Sequence, residues 1–247
     1  MTPAEQFEEV MVTPRWAFPR LPDLRVIERP GWLQIITPSI KTGGLNEVLY
    51  SSLDEQTADV AIDDAITTYR DLGLKFRWNA GAGSAPENLG KRLERRGLEA
   101  SWGRGMIRST DGAGPDGEVV EVDASTLAAY TDVMATGWSA DAGALLAQHR
   151  HVLIERRQHL FLVYREGIPA AVAAYVQFSR SAFLMGAVVL PAYRGLGLYR
   201  DLVRARLAHA RARGIQLATS HAREATSAPI LDKLAFETVC RFPMYFG

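Results

Sequence analysis

The chain has 247 residues, 47% of them hydrophobic, and its 28 basic and 28 acidic side chains balance to a formal charge of zero. That length suits two modules better than one, since domains commonly hold about 100–150 residues, and a neutral chain lacks the basic footprint of a nucleic-acid binder. The single cysteine, Cys240, excludes an intrachain disulfide and a thiolate metal cluster, so a reducing, cytoplasmic setting is expected. Residues 1–10 are acidic and lack the basic flank and apolar run of a signal peptide, and no apolar run is long enough to span a bilayer. A soluble protein without a membrane partner is therefore expected.

In chain order, the pattern predicts a helix over 60–72 ended by Gly73, a strand over 75–78, a helix over 87–96 and an extended segment over 100–107. Turn formers concentrate from Thr110 to Glu118 and read as a linker, which gives domains at 1–110 and 119–247. Beyond it come a strand at 119–122, a helix over 127–138 that Ser125 is placed to cap, and a helix over 142–156. Three β-rich runs at 159–164, 170–178 and 182–190, separated by short turns, read as neighbouring antiparallel strands. An amphipathic helix over 198–213 buries Leu202, Val203, Leu207 and Ala210, and Gly214 stops it. A strand over 215–220, a helix over 228–234 and an extended end over 238–246 complete the chain.

The most informative stretch runs from Val188 to Arg200, an apolar strand, then Arg194-Gly195-Leu196-Gly197, then the start of the long helix. Helix N-terminal amides have no intrahelical partner and carry the positive end of the dipole, so glycines there let a phosphate reach bare main chain. The order of elements also recurs: Ser84-Ala85-Pro86 echoes Ser227-Ala228-Pro229, and Leu93, Gly97-Leu98-Glu99 and Met106 fall in step with Leu231, Ala235-Phe236-Glu237 and Met244. The first copy has no glycine turn ahead of its helix.

These residues resemble the GNAT superfamily of acyl-CoA-dependent acyltransferases, on the Pro-x-x-Arg-Gly-x-Gly segment after a long strand, the elements that follow, and Leu234-Ala235-Phe236-Glu237. The resemblance covers residues 119–247, and residues 1–110 resemble a degenerate copy without the cofactor loop. It implies an α+β fold with a mixed, mostly antiparallel sheet flanked by helices. It also implies that Ala187, Val188, Val189 and Leu190 pair with the pantetheine arm of acetyl-CoA, with an oxyanion held by the amide of Val188 or Val189. The phosphate loop maps onto Arg194, Gly195, Leu196, Gly197, Leu198 and Tyr199, where Tyr199 replaces a small residue. Arg200 and Arg204 could meet the 3′-phosphate, although a charge row on a surface helix is usually a solvated face.

Many members protonate the leaving thiolate with a tyrosine five residues before the equivalent of Phe236; here that position is Leu231, and a hydrocarbon donates no proton. Ser227, Tyr199 or water is left for that step, and His221 and Glu224, just past the strand at 215–220, are the base candidates. Trp138, Asp141 and the segment 242–245 are candidate linings for an acceptor, a small amine or a peptide. No metal is expected: His149, His151 and His159 lack ligand spacing with acidic partners, and His209 reads as a surface residue. A homodimer is compatible with the chain. The leading expectation is transfer of an acetyl group to an amine by direct attack in a ternary complex. The alternatives are a non-catalytic acyl-CoA sensor and an unrelated nucleotide-binding module.

Overall fold

The computed structural model describes residues 1–42 and 44–247. Its elements are, in chain order, α1 (Pro3–Phe7), β1 (Arg25–Arg29), β2 (Trp32–Ile36), β3 (Glu47–Ser51), α2 (Ala58–Asp71), β4 (Arg77–Asn79), α3 (Leu89–Glu94) and β5 (Glu99–Ser109). There follow β6 (Val120–Glu121), α4 (Leu127–Trp138), α5 (Ala142–Glu155), β7 (Gln158–Arg165), β8 (Ile168–Gln177), β9 (Ser181–Val189), α6 (Leu198–Ala212), β10 (Leu217–Arg223), α7 (Ala228–Asp232) and β11 (Glu237–Phe246). The chain forms two compact units: Met1–Arg20 with Arg104–Ala222 and Thr226–Cys240, and Leu21–Gly103 with Arg223–Ala225 and Arg241–Gly247. Chain order alone suggested a boundary at 110–118. In the structure the first 20 residues join the unit that holds the glycine turn, and the last seven join the other.

In the first unit β7, β8 and β9 form an antiparallel meander, with Phe161 opposite Ala173 and Tyr175 opposite Leu184. Strand β10 then runs parallel to β9, reached through α6, which makes the sheet mixed. Side chains alternate across it as the two-residue strand period requires. Phe161, Val163, Ala171, Ala173, Tyr175 and Leu184 pack with Leu202, Val203 and Leu207 of α6 and Leu231 of α7. Leu160, Leu162, Val172, Ala174 and Val188 pack on the opposite face, with Tyr130, Val133 and Met134 of α4 and Leu145 and Val152 of α5. Helix α4 comes so close to the sheet that a Cβ on Gly137 would lie 2.2 Å from Val188. Its entry is organised by Asp123, whose carboxylate accepts from the amides of Ser125 and Thr126. Ser125, expected to cap, instead donates its hydroxyl to that carboxylate.

The second unit holds a hairpin, β1 to β2, turned by Pro30-Gly31. Gly31 has φ +74°, and a Cβ there would stand 2.4 Å from the Ser52 carbonyl, so the turn admits only glycine. Strands β3 and β4 are parallel and joined through α2, the same local order as β9, α6 and β10. Trp32, Ile36, Val48, Ile62, Ile66, Tyr69, Trp78 and Leu93 form its core. The C-terminal half of β11 pairs antiparallel with β4 inside this unit, Met244 opposite Asn79.

His149 ties α5 to α4. The Thr131 hydroxyl donates to the Leu127 carbonyl and so accepts from His149 Nδ1, at 2.9 Å. Burial pushes the imidazole down to a pKa of about 4. The unfolded chain takes up a proton near pH 6.5 that the native chain refuses, so this contribution to stability is complete above that pH and is lost as pH falls toward 4. Chemical denaturation should show a loss of about 2 kcal/mol from this residue between pH 7 and pH 5. His149→Gln should flatten the stability profile across that window.

Candidate active site

The site is built where β9 and β10 part. Their pairing runs from Ser181↔Leu217 to Leu184↔Ser220 and stops, and the Ser220 hydroxyl donates to the Leu184 carbonyl, 3.0 Å away, at the fork. Beyond it β9 stays paired with β8 but carries a bulge: Val172 faces Val188 and Ala174 faces Met185, so Gly186 and Ala187 share the single partner Ala173. Gly186 takes φ +60° there. Leu190 N donates to Ala170 O, and alternation therefore turns the N–H and C=O of Val189 to the open side while Val188 serves the ladder.

A short 3₁₀ turn, Pro191–Tyr193, leads from the open edge to Arg194. Gly195 and Gly197 hold φ +80° and +81°, and Gly197 is the N-cap of α6. Asp201 N bonds back to Gly197 O, so the amides of Leu198, Tyr199 and Arg200 ahead of it have no intrahelical partner. They form the electropositive end of a 15-residue helix. The exposed Arg194 folds its Nε back to the Val189 carbonyl at 3.3 Å, which sets its guanidinium beside both the open strand and the turn.

Tyr199 answers a question that the motif raised. Its side chain packs against the apolar layer between α6 and the sheet, and burial raises its hydroxyl pKa. The ring thus points inward while its amide remains at the helix end. There the hydroxyl meets Arg206, whose side chain is 1% exposed and whose pKa burial lowers. Arg206 donates through Nη1 to the carbonyls of Ala174 and Met185, at 3.0 and 3.4 Å, and through Nε to Leu202 O. A buried guanidinium therefore grips both strands at the bulge. No sequence pattern marked it, because it sits among exposed arginines on the same helix.

Leu231 lies in the core, 1% exposed. Ser227 is the N-cap residue of α7, half-buried, its carbonyl accepting from Ile230 and Leu231. His221 donates Nε2–H to the Val10 carbonyl at 2.7 Å and stands edge-on to Phe183. Glu224 falls in the second unit, its amide bonded to Trp102 O and its carboxylate 3.4 Å from Arg241. Arg200 and Arg204, expected to face a phosphate, both pair with Asp116, at 3.0 and 2.7 Å. That aspartate belongs to the glycine-rich segment read as a linker, which docks on α6. Asp141 is likewise engaged, capping α5 through Ala144 N. Phe242, Met244 and Tyr245 are core residues of the second unit, and Trp138 is exposed.

A parallel strand pair that splays at a bulge and leads into a glycine-turned helix N-terminus defines an acyltransferase-type α+β domain. Residues 126–232 match the acetyltransferase (GNAT) family model, and this stretch is a GNAT acetyltransferase domain. Comparison with curated proteins gives no significant match. Among solved structures the chain is similar to a GCN5-related N-acetyltransferase from Kribbella flavida, at 14% identity and TM-score 0.66 over 99% of this chain and 95% of that one. It is also similar to a tandem GNAT protein from the clavulanic acid biosynthesis pathway, at 13% identity and TM-score 0.59 over 98% and 94%. A functionally unknown conserved protein from Staphylococcus epidermidis ATCC 12228 aligns at 11% identity and TM-score 0.67 over 91% and 93%. At these identities the likeness is one of fold, and the fold is GNAT. Among the described residues no helix is long and apolar enough to cross a membrane.

Arg206→Met removes the donors to two buried carbonyls, and each unpaired carbonyl costs about 1–3 kcal/mol. Urea denaturation should show a loss of at least about 2 kcal/mol, and Arg206→Lys should not restore it, because an ammonium lacks the planar fork.

Proposed function

We propose that the GNAT domain transfers an acetyl group from acetyl-CoA to an amine of a small molecule or peptide, by direct attack in a ternary complex. The observation that carries this reading is the unpaired edge of β9 leading through the Pro191–Tyr193 turn and the two glycines into the α6 N-terminus. The pantetheine arm extends along Ala187–Leu190 as a surrogate strand, and the pyrophosphate rests on the amides from Gly195 to Tyr199, with Arg194 beside it. The thioester then lies on the open side of β9, beyond the fork. The amine adds to the thioester carbonyl, the Val189 amide stabilises the oxyanion, and the C–S bond breaks as the thiolate takes a proton.

Leu231 supplies no proton, and Tyr199 is turned inward onto Arg206. Ser227 or water is left for the thiolate, with His221 and Glu224 the candidates for removing the amine's proton. The second unit is read as a degenerate copy. Its helix α2 begins at Ala58 with no glycine turn ahead of it, and Glu55 and Asp59 at its head are paired with Arg92.

Arg194→Ala should weaken CoA binding about tenfold by calorimetry, the worth of one charge-assisted contact. An unchanged affinity would return Arg194 to the role of an ordinary turn residue. Thiol release from acetyl-CoA across a panel of amines tests transfer itself. His221→Ala and Glu224→Ala, followed across pH, should alter the acidic limb of the profile if either residue is the base, since that limb follows deprotonation of the base. Tight CoA binding with no thiol release on any amine would instead establish a sensor, the reading favoured by the buried Leu231.

A further inference from the structure

Away from the fork, the first unit gathers three groups that are distant in sequence. Glu121 comes from the edge strand β6, His159 from β7 and His209 from the last turns of α6. One Glu121 oxygen lies 3.1 Å from His159 Nδ1 and the other 3.2 Å from His209 Nε2. One ligand atom from each residue falls within 4.8 Å of the others. The imidazole rings stand 4.7 Å apart, tilted by 57°. His209 Nδ1 is 2.8 Å from the hydroxyl of the buried Tyr175. His209 lies eleven residues beyond Leu198, about 16 Å along the helix, so this cluster is separate from the phosphate end.

Hydrogen bonding within the fold occupies only Nδ1 of His159, which meets Glu121. The residue is 8% exposed, and its Nε2 is buried without a partner. Buried polar groups ordinarily find one. We propose that Glu121, His159 and His209 form a binding site for a divalent transition cation of the Zn²⁺ type, which clamps the edge strand β6 and β7 to α6.

Two imidazoles and a carboxylate are a ligand set that such ions favour. Tetrahedral ligands at about 2.1 Å from an ion lie about 3.4 Å from each other, and each Glu121 oxygen already lies near that distance from a nitrogen of a different imidazole, so small side-chain adjustments bring the three ligands around one ion. The Tyr175 hydroxyl orients the His209 ring from behind, as an outer-shell partner does. Glu121 is half exposed and leaves an entry path, while water completes the coordination. The clamp has a mechanical purpose. Strand β6 is two residues long, pairing with β7 at Val120 and Glu121 with one further bond from Val122 N to Leu160 O, so few bonds hold this edge.

The test uses the full chain without a histidine tag and Co²⁺ as the spectroscopic probe. One equivalent should bind with visible d–d absorption, Zn²⁺ should displace it, and Zn²⁺ should raise the midpoint of thermal unfolding. Glu121→Gln and His209→Gln should each weaken Co²⁺ binding at least tenfold and abolish the rise, whereas His151→Gln on α5 should leave both unchanged. Absence of binding at millimolar Co²⁺ would overturn the site. So would a signal that survives both Glu121→Gln and His209→Gln, or one lost with His151→Gln.

Discussion

One edge of β9 has to be open while the strand itself stays rigid, and the architecture of the first unit follows from that requirement. An unpaired strand edge is ordinarily unstable, since its amides and carbonyls invite any other strand. Here β8 fixes the strand from one side throughout, and β10 fixes it from the other only as far as Leu184. The bulge at Gly186 and Ala187 adds local twist just past the fork, and turns the strand away from its parallel neighbour. Gly137 permits α4 to press against Val188 from the opposite face. The open edge is thus held by packing above and below rather than by a partner alongside.

Arg206 completes that support from the α6 side, and its chemistry is unusual for a core. A buried cation is costly unless its donors are met, and its partners among the described residues are carbonyls and a tyrosine rather than a carboxylate. The Ala174 and Met185 carbonyls lie at the point where the bulge disrupts the ladder. A planar fork of donors can serve several acceptors at once, which an apolar side chain cannot. The same residue therefore relieves the bulge and fastens the helix that begins at the glycine turn.

Much of this was legible in the sequence, and the residues show why. The helices at 127–138 and 198–213 and the three-strand meander could be read because apolar periodicity and turn residues agreed along each. The hairpin at β1 and β2 was missed although Pro30-Gly31 announced its turn, because β1 is exposed along its whole length and shows no alternation. The exchange of chain segments between units had no local signature at all. Nor did the His159–His209–Glu121 cluster: a spacing rule finds ligands on one element, whereas these three come from two strands and a helix. Arg206 was hidden for the opposite reason, since a row of arginines on an amphipathic helix reads as a solvated face, and only packing reveals which one is inside.

Tyr199 and Arg206 are best understood together. They lie seven residues apart, two helical turns, on the face of α6 that meets the sheet. A small residue at the position of Tyr199 would leave a void beside the guanidinium and remove a polar neighbour from it. The tyrosine fills that volume and brings its hydroxyl to Arg206, and burial keeps that hydroxyl protonated. The departure from the GNAT loop pattern is therefore directed into the core and leaves the amides at the α6 N-terminus without an intrahelical partner. It also removes the loop's phenol from the proton relay, and with Leu231 equally buried, both natural positions for a tyrosine acid are spent on packing. Under the proposed transfer, the proton for a departing thiolate comes from a hydroxyl at the head of α7 or from solvent, which makes the α7 N-terminus the part of the proposed site where catalysis and mere binding diverge.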